Sequence, residues 1–273
     1  MQSQKSEKEL AFLHDLFVAT DWDERFATLI DENLDLPKEG AVAYLGSGTG
    51  GHAIALKQRG GKDLSLTSVD ENHERVELAK TKAAAAKELI EFRQDQLENL
   101  SLPDNHFDLV IGNASLVPIK RLQPVVAEMI RIANPGGTVV LTLPTASSFG
   151  EFFSIYWEAL HNSGLVDHES DVEKLITELP TVSDVEELLS GDLDDIVSTT
   201  QVEEFDYESG EEFLNSPLIK DFLMEGWLSS LPEDRREQVS AEIARIINEE
   251  RHDAEFALTV KATMMTGRKA RTN

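Results

Sequence analysis

From residue 42 to residue 143 short, mostly apolar runs alternate with helix-patterned segments, and this alternation restricts the fold more than any other property of the chain. The runs are residues 42–45, 64–69, 90–93, 107–111 and 138–143. The segments at 52–59, 74–89 and 119–133 read as helices, the last one stopped by Pro135-Gly136-Gly137. Short apolar runs bounded by turn residues suit strands buried on both faces. Strands joined through helices pair in parallel by right-handed crossovers, with helices covering both faces of the sheet. The expectation is an α/β, doubly wound fold.

Ligands of such sheets sit at the carboxyl ends of the strands. Here those ends carry Gly46, Gly48 and Gly50 after the first strand, Asp70 after the second, Asp95 after the third and Asn113 after the fourth. The segment AVAYLGSGTGG, residues 41–51, is a strand, a glycine turn and a helix start. Glycine lets the chain turn tightly and leaves no side chain to block a ligand, and the helix that follows points free N–H groups at it. Read literally, Gly46, Gly48 and Gly51 satisfy the dinucleotide spacing G-x-G-x-x-G, with Asp70 placed for a ribose hydroxyl. That reading gives a nicotinamide-dependent oxidoreductase. Gly50 also completes G-x-G-x-G, and Asp95 lies at a spacing suited to an adenine amino group.

Taken in order, these motifs resemble the class I S-adenosylmethionine-dependent methyltransferases, and within them the small-molecule group that includes quinone-biosynthesis C-methyltransferases. Gly46, Ser47, Gly48 and Gly50 match the glycine motif, Asp70 the ribose acid and Asp95 (in DQLENLSLPDNHFD) the adenine acid. DLVIGNA, with Asn113, resembles the fourth-strand motif, and Pro135–Gly137 the turn before strand five. The resemblance covers residues 41–143, and TVKATMMTGRK near the end is similar to the antiparallel last strand of the family. It implies a Rossmann-like, seven-stranded sheet in the order 3-2-1-4-5-7-6. It implies S-adenosyl-L-methionine as cofactor, with S-adenosyl-L-homocysteine as product. The cofactor-binding set it implies is Gly46, Ser47, Gly48, Gly50, Asp70, Glu71, Asp95, Gln96 and Asn113. The activity implied is methyl transfer to a small-molecule acceptor through an O, N or C nucleophile. A non-catalytic cofactor-binding protein is the rival within this resemblance. One position departs from it: the family has an acid two residues before the first glycine, which helps hold the loop and the methionine amino group, and this chain has Tyr44. Either another residue does that work or the cofactor is held less tightly.

The 273 residues suit a single domain, with N-terminal helices to residue 40, a cofactor-binding core at 41–145 and a substrate-side half at 146–273. Residues 8–34 read as helical. A helical insertion at 210–252 precedes a final strand at 256–266, and its length suits a cap over the substrate. His52 reads as a helix-start histidine, and Tyr156, Trp157 and His161 as core or solvent-facing rings. The stripe of Phe213, Phe222, Leu223 and Trp227 reads as core. His73, His106, His168 and His252 are scattered without metal-ligand spacing, so no metal is expected.

Cysteine is absent, which removes disulfides and thiolate chemistry and fits a cytoplasmic protein. The net charge is −26, and residues 165–213 hold 17 acids and one base, Lys174. Such a chain repels phosphate backbones, so nucleic acid is not an expected partner. No apolar stretch approaches a membrane span, the polar start MQSQKSEKEL lacks a signal core, and a monomer or homodimer is expected.

Overall fold

A computed structural model of the chain describes residues 5–250 and 256–271. It opens with α1 (Glu7–Leu13), whose capping box joins Ser6 and Glu9. The chain then widens into a π-helical turn, His14–Val18, and after a break at Ala19–Asp21 enters α2 (Trp22–Asn33). The sequence reads 8–34 as helical without this interruption. The break follows from local bonding: Ala19 N donates to His14 O at 2.7 Å, and the Thr20 hydroxyl bonds back to Leu16 O at 2.9 Å.

The alternating region folds as β1 (Gly40–Leu45), α3 (Gly51–Gly60), β2 (Leu64–Asp70), α4 (His73–Ala86), β3 (Glu91–Gln94), β4 (Phe107–Asn113), α5 (Leu122–Ile132) and β5 (Ala133–Pro144). A single 3-10 turn, Ile119–Arg121, leads into α5. Next come α6 (Gly150–Asn162), α7 (Glu169–Glu178), α8 (Val182–Ser190) and β6 (Leu193–Tyr207). The chain continues through α9 (Gly210–Asn215), a π-helical turn Leu218–Leu223, α10 (Met224–Trp227), α11 (Glu233–Glu250) and β7 (Phe256–Lys269). The seven strands form one sheet in the order β3-β2-β1-β4-β5-β7-β6, the order expected from the resemblance. Pairing is parallel from β3 through β5.

Register decides where the site lies. Leu45 stands opposite Val69 on one side and Gly112 on the other. The residues that follow, Gly46, Asp70 and Asn113, therefore emerge side by side at one sheet edge. The strands beneath are dry: Val42, Ala43, Val69, Val110 and Ile111 have no measurable exposure. From α5, Val125, Val126 and Met129 pack into the same core as Leu45, Val110 and Leu141. Each such side chain contributes about 1.5–3 kcal/mol on burial.

The chain forms two compact units. The first takes the described residues up to Leu143, with Val182–Thr200 and those from Thr263 onward; the second is Pro144–Thr181 with Gln201–Ala262. Within the second unit Phe152 stacks on Trp227 with centroids 4.1 Å apart, and Phe213 meets Phe256 edge-on at 5.1 Å. Tyr156 and Phe213 are fully buried there, as core rings, while the His161 side chain faces solvent. The helices of the 210–252 segment belong to this unit, and residues 251 and 252 lie outside the described residues. One helix was not legible: α7 buries only Val172, too little apolar pattern to stand out in an acidic stretch.

Candidate functional site

The turn after β1 is built on left-handed backbone. Gly46 has φ +66° and Gly48 φ +57°, conformations that side-chain-bearing residues rarely adopt. A Cβ at Gly48 would stand 2.7 Å from the His14 ring, and one at Gly46 would meet the Asn113 carbonyl. Gly50 plays another part. It precedes α3, and a Cβ there would meet Ala79 and Phe92, so it serves the packing of α3 against α4 and β3.

Asp70 is 5% exposed at the end of β2. Its Oδ2 accepts from Gly48 N at 2.8 Å and its Oδ1 from Asn72 N at 3.0 Å. Burial raises its pKa, and Arg75, 3.8 Å away, opposes that shift. Asn113 Oδ1 accepts from Ser115 N at 3.0 Å, which fixes the amide at the end of β4. The Glu71 carboxylate is gripped by Arg121, which also holds Glu98, and accepts from Leu97 N at 3.3 Å. Three loops of the sheet edge are thereby fastened together.

A cavity of about 220 Å3 opens at this edge. Gly46, Gly48, Asp70, Glu71 and Asn113 line it, together with Asn72, Arg75, Leu97 and Arg121. Ser47 instead faces a second cavity of about 320 Å3, with its hydroxyl accepting from Ser68 Oγ at 2.7 Å. Gly50, Asp95 and Gln96 line neither cavity. The Asp95 carboxylate accepts from Gln96 N at 3.1 Å and Ser101 N at 2.5 Å, folding its own loop. From that loop it is Leu97, buried, that reaches the cavity wall.

The N-terminal segment supplies walls that the sequence reading missed. His14 and Asp23 line the first cavity, and Asp15 and Asp23 the second. Asp15 accepts from Thr49 Oγ1 at 2.5 Å and pairs with Lys82 at 2.5 Å, which docks the π-helical turn onto the glycine turn. His14 is 1% exposed, and burial, with the nearby charges of Arg75 and Lys82, holds it neutral, well below its ordinary range. Asp23 and Asn113 stand where the two cavities adjoin. Burial pushes the Asp23 carboxyl up to about 7, against the pull of Arg75. No local signal marks these residues, because their partners lie far along the chain.

Tyr44 turns away from the first cavity. Its hydroxyl bonds His52 Nδ1 at 3.0 Å, and His52 Nε2 bonds Asp31 Oδ1 at 2.9 Å, where Arg59 also pairs. Burial raises the phenol's pKa further, so Tyr44 brings no negative charge to the turn. His52, read as a bare helix-start histidine, joins β1 to α2 in this chain of bonds.

Residues 42–137, which hold the glycine turn, Asp70, Asp95 and Asn113, match a family of methyltransferase domains. These residues form a methyltransferase domain of the class I fold. The methyltransferase domain resembles the demethylmenaquinone methyltransferase of Deinococcus radiodurans, with 31% identity over 120 residues, 43% of this chain and 49% of that protein. The chain thus spans about half the length of that relative. By fold, the chain resembles the YcgJ protein of Bacillus subtilis over 91% of its length and 100% of the other's (TM-score 0.60, 18% identity). It also resembles a Haemonchus contortus phosphoethanolamine N-methyltransferase solved with S-adenosyl-L-methionine (TM-score 0.56, 16% identity, 99% and 59%).

The walls of the methyltransferase domain fit such a cofactor. The turn at Gly46 and Gly48 has no side chains, Asp70 stands beside it with lone pairs for hydroxyl groups, and Leu97 offers an apolar face to a base.

Proposed function

We propose that the chain transfers a methyl group from S-adenosyl-L-methionine to a small-molecule acceptor. The carrying observation is the Gly48–Asp70 hydrogen bond, which fixes a bare glycine turn beside a buried carboxylate at the wall of the first cavity. In this reading Gly46 and Gly48 let the backbone approach the ligand, Asp70 accepts from the ribose hydroxyls, and Glu71, Leu97 and Asn113 flank the nucleoside. Of the predicted set, Ser47 faces the second cavity, Gly50 packs α3 against α4, and Asp95 and Gln96 shape the loop that presents Leu97. The cofactor supplies an electrophilic methyl group on a sulfonium centre; the chain orients an acceptor and keeps water away. The second cavity, which meets the first at Asp23 and Asn113, is the place for that acceptor.

Relatives that are methyltransferases favour this over the nicotinamide reading of the same glycines. Small acceptors such as quinones suit the resemblance to the demethylmenaquinone enzyme. Among the described residues no helix is long and apolar enough to cross a membrane. Action in the cytoplasm, as a monomer or homodimer, belongs to the same proposal.

Calorimetry with S-adenosylhomocysteine and with NAD tests it. Micromolar binding of the first and none of the second is expected; the reverse overturns the proposal. Binding without turnover across a panel of quinone, phenol and amine acceptors would instead favour a non-catalytic cofactor-binding protein.

A further inference from the structure

Three carboxylates face the first cavity, and they differ in how their charge is met. Glu71 is held by the Arg121 guanidinium. Asp70 accepts two backbone N–H bonds, with Arg75 at 3.8 Å. Asp23 has neutral neighbours within bonding reach: the His14 ring, 3.4 Å away at Nε2, and the Asn113 amide. Arg75 and Asp70 also act on it through charge, in opposite directions.

Its position is equally specific. Asp23 Oδ2 is 3.4 Å from where a Cβ would stand on Gly48, so the carboxylate lies directly over the glycine turn. It is also shared by both cavity walls. Asp23 keeps 21% of its side chain exposed, and a half-buried carboxylate without a full countercharge is a favourable site for a ligand cation, because the lowered local dielectric strengthens the pairing and part of the desolvation is already made. Tyr44, the residue below the turn, is committed to His52 and stays neutral.

We propose that Asp23, carried by α2, is the carboxylate that pairs with the ammonium group of the cofactor's amino-acid portion. The negative charge that position 44 does not provide from β1 is thereby supplied from α2. This rests on the S-adenosylmethionine reading above. Asp23 is a binding and positioning residue, and it leaves the nucleoside end of the ligand to Asp70.

The test separates the two ends of the ligand. S-adenosylhomocysteine carries the amino-acid portion, whereas 5′-methylthioadenosine has the same nucleoside and sulfur without it. By calorimetry, Asp23→Asn is expected to weaken S-adenosylhomocysteine by at least about tenfold while changing methylthioadenosine less than about twofold. Asp70→Asn is expected to weaken both. Loss of both ligands together in Asp23→Asn, or of neither, overturns the proposal. The unsubstituted protein gives an independent measure: the desamino analogue of S-adenosylhomocysteine should bind at least about tenfold more weakly than the parent. Equal affinities overturn the assignment of Asp23. If the unsubstituted protein binds none of these nucleosides, the cofactor reading itself fails, and the inference with it.

Discussion

Gly48 donates its backbone N–H to the Asp70 carboxylate at 2.8 Å, so the turn after β1 and the end of β2 are one structural unit. A residue whose side chain faces the ligand also shapes the loop that receives it. Its substitution therefore reads on binding and on loop geometry together.

Asp70→Asn keeps an acceptor for one of the two N–H groups but removes the charge. Burial already disfavours that charge, which offsets part of the cost of the N–H left without an acceptor, so the apo protein should lose no more than about 1–3 kcal/mol. Affinity for S-adenosylhomocysteine should fall by about tenfold or more, since a charge-assisted acceptor is lost. Thermal melting alongside calorimetry checks both parts.

Gly48→Ala should destabilise the protein by about 1–3 kcal/mol, because the residue needs φ +57° and its new methyl meets the His14 ring. His14→Ala in the same chain should recover part of that loss by removing the ring. A double-mutant cycle from denaturant unfolding measures the coupling between the two positions.

Asp23 makes stability depend on pH. Its carboxyl titrates at about 7 when folded against 3.8 as the reference value, so folding favours the protonated form. Well below pH 3.8 the group is protonated in both states and contributes no penalty. As pH rises toward 7 the unfolded state releases its proton first, and native stability declines. Asp23→Asn removes this decline. The variant should match the unsubstituted apo protein near pH 4 and exceed it by about 2–4 kcal/mol at pH 8, the lower figure reflecting the 21% of the side chain that remains exposed. Denaturant unfolding at both pH values is the measurement.

Tyr44→Phe removes a hydroxyl that bonds His52 Nδ1 and should lower stability by about 1 kcal/mol. Affinity for S-adenosylhomocysteine should change less than about threefold, because the hydroxyl points toward α3 and not toward the first cavity. A tenfold loss would give Tyr44 a direct role in ligand binding.

The strands and the sheet edge were legible because their signals are local. The run GAVAYL ends where glycines begin, and register then places Asp70 and Asn113 beside it without further information. Residue type alone did not reveal direction. Asp95 sits where an acid was expected, yet its oxygens are taken by the N–H groups of its own loop, and Leu97 reaches the cavity instead. Gly50 fits the glycine spacing but answers to Ala79 and Phe92. The roles of His14, Asp15 and Asp23 were invisible for a different reason. Each depends on partners many residues away, such as Thr49 and Lys82, and nothing in the helical pattern of residues 8–34 distinguishes these side chains from a solvated face.

The docking of the N-terminal helices has a consequence for how the chain is made. Trp22 donates its indole N–H to Ser115 at 2.9 Å across 93 positions, and Asp15 awaits Lys82 across 67. The helices that carry Asp15 and Trp22 thus find their seat only after β1, α4 and the end of β4 have been synthesised. Contacts so distant along the chain carry a loop-closure penalty and form late. The wall that bears Asp23 is, on this account, synthesised before its partners and is the last part of the site to be assembled.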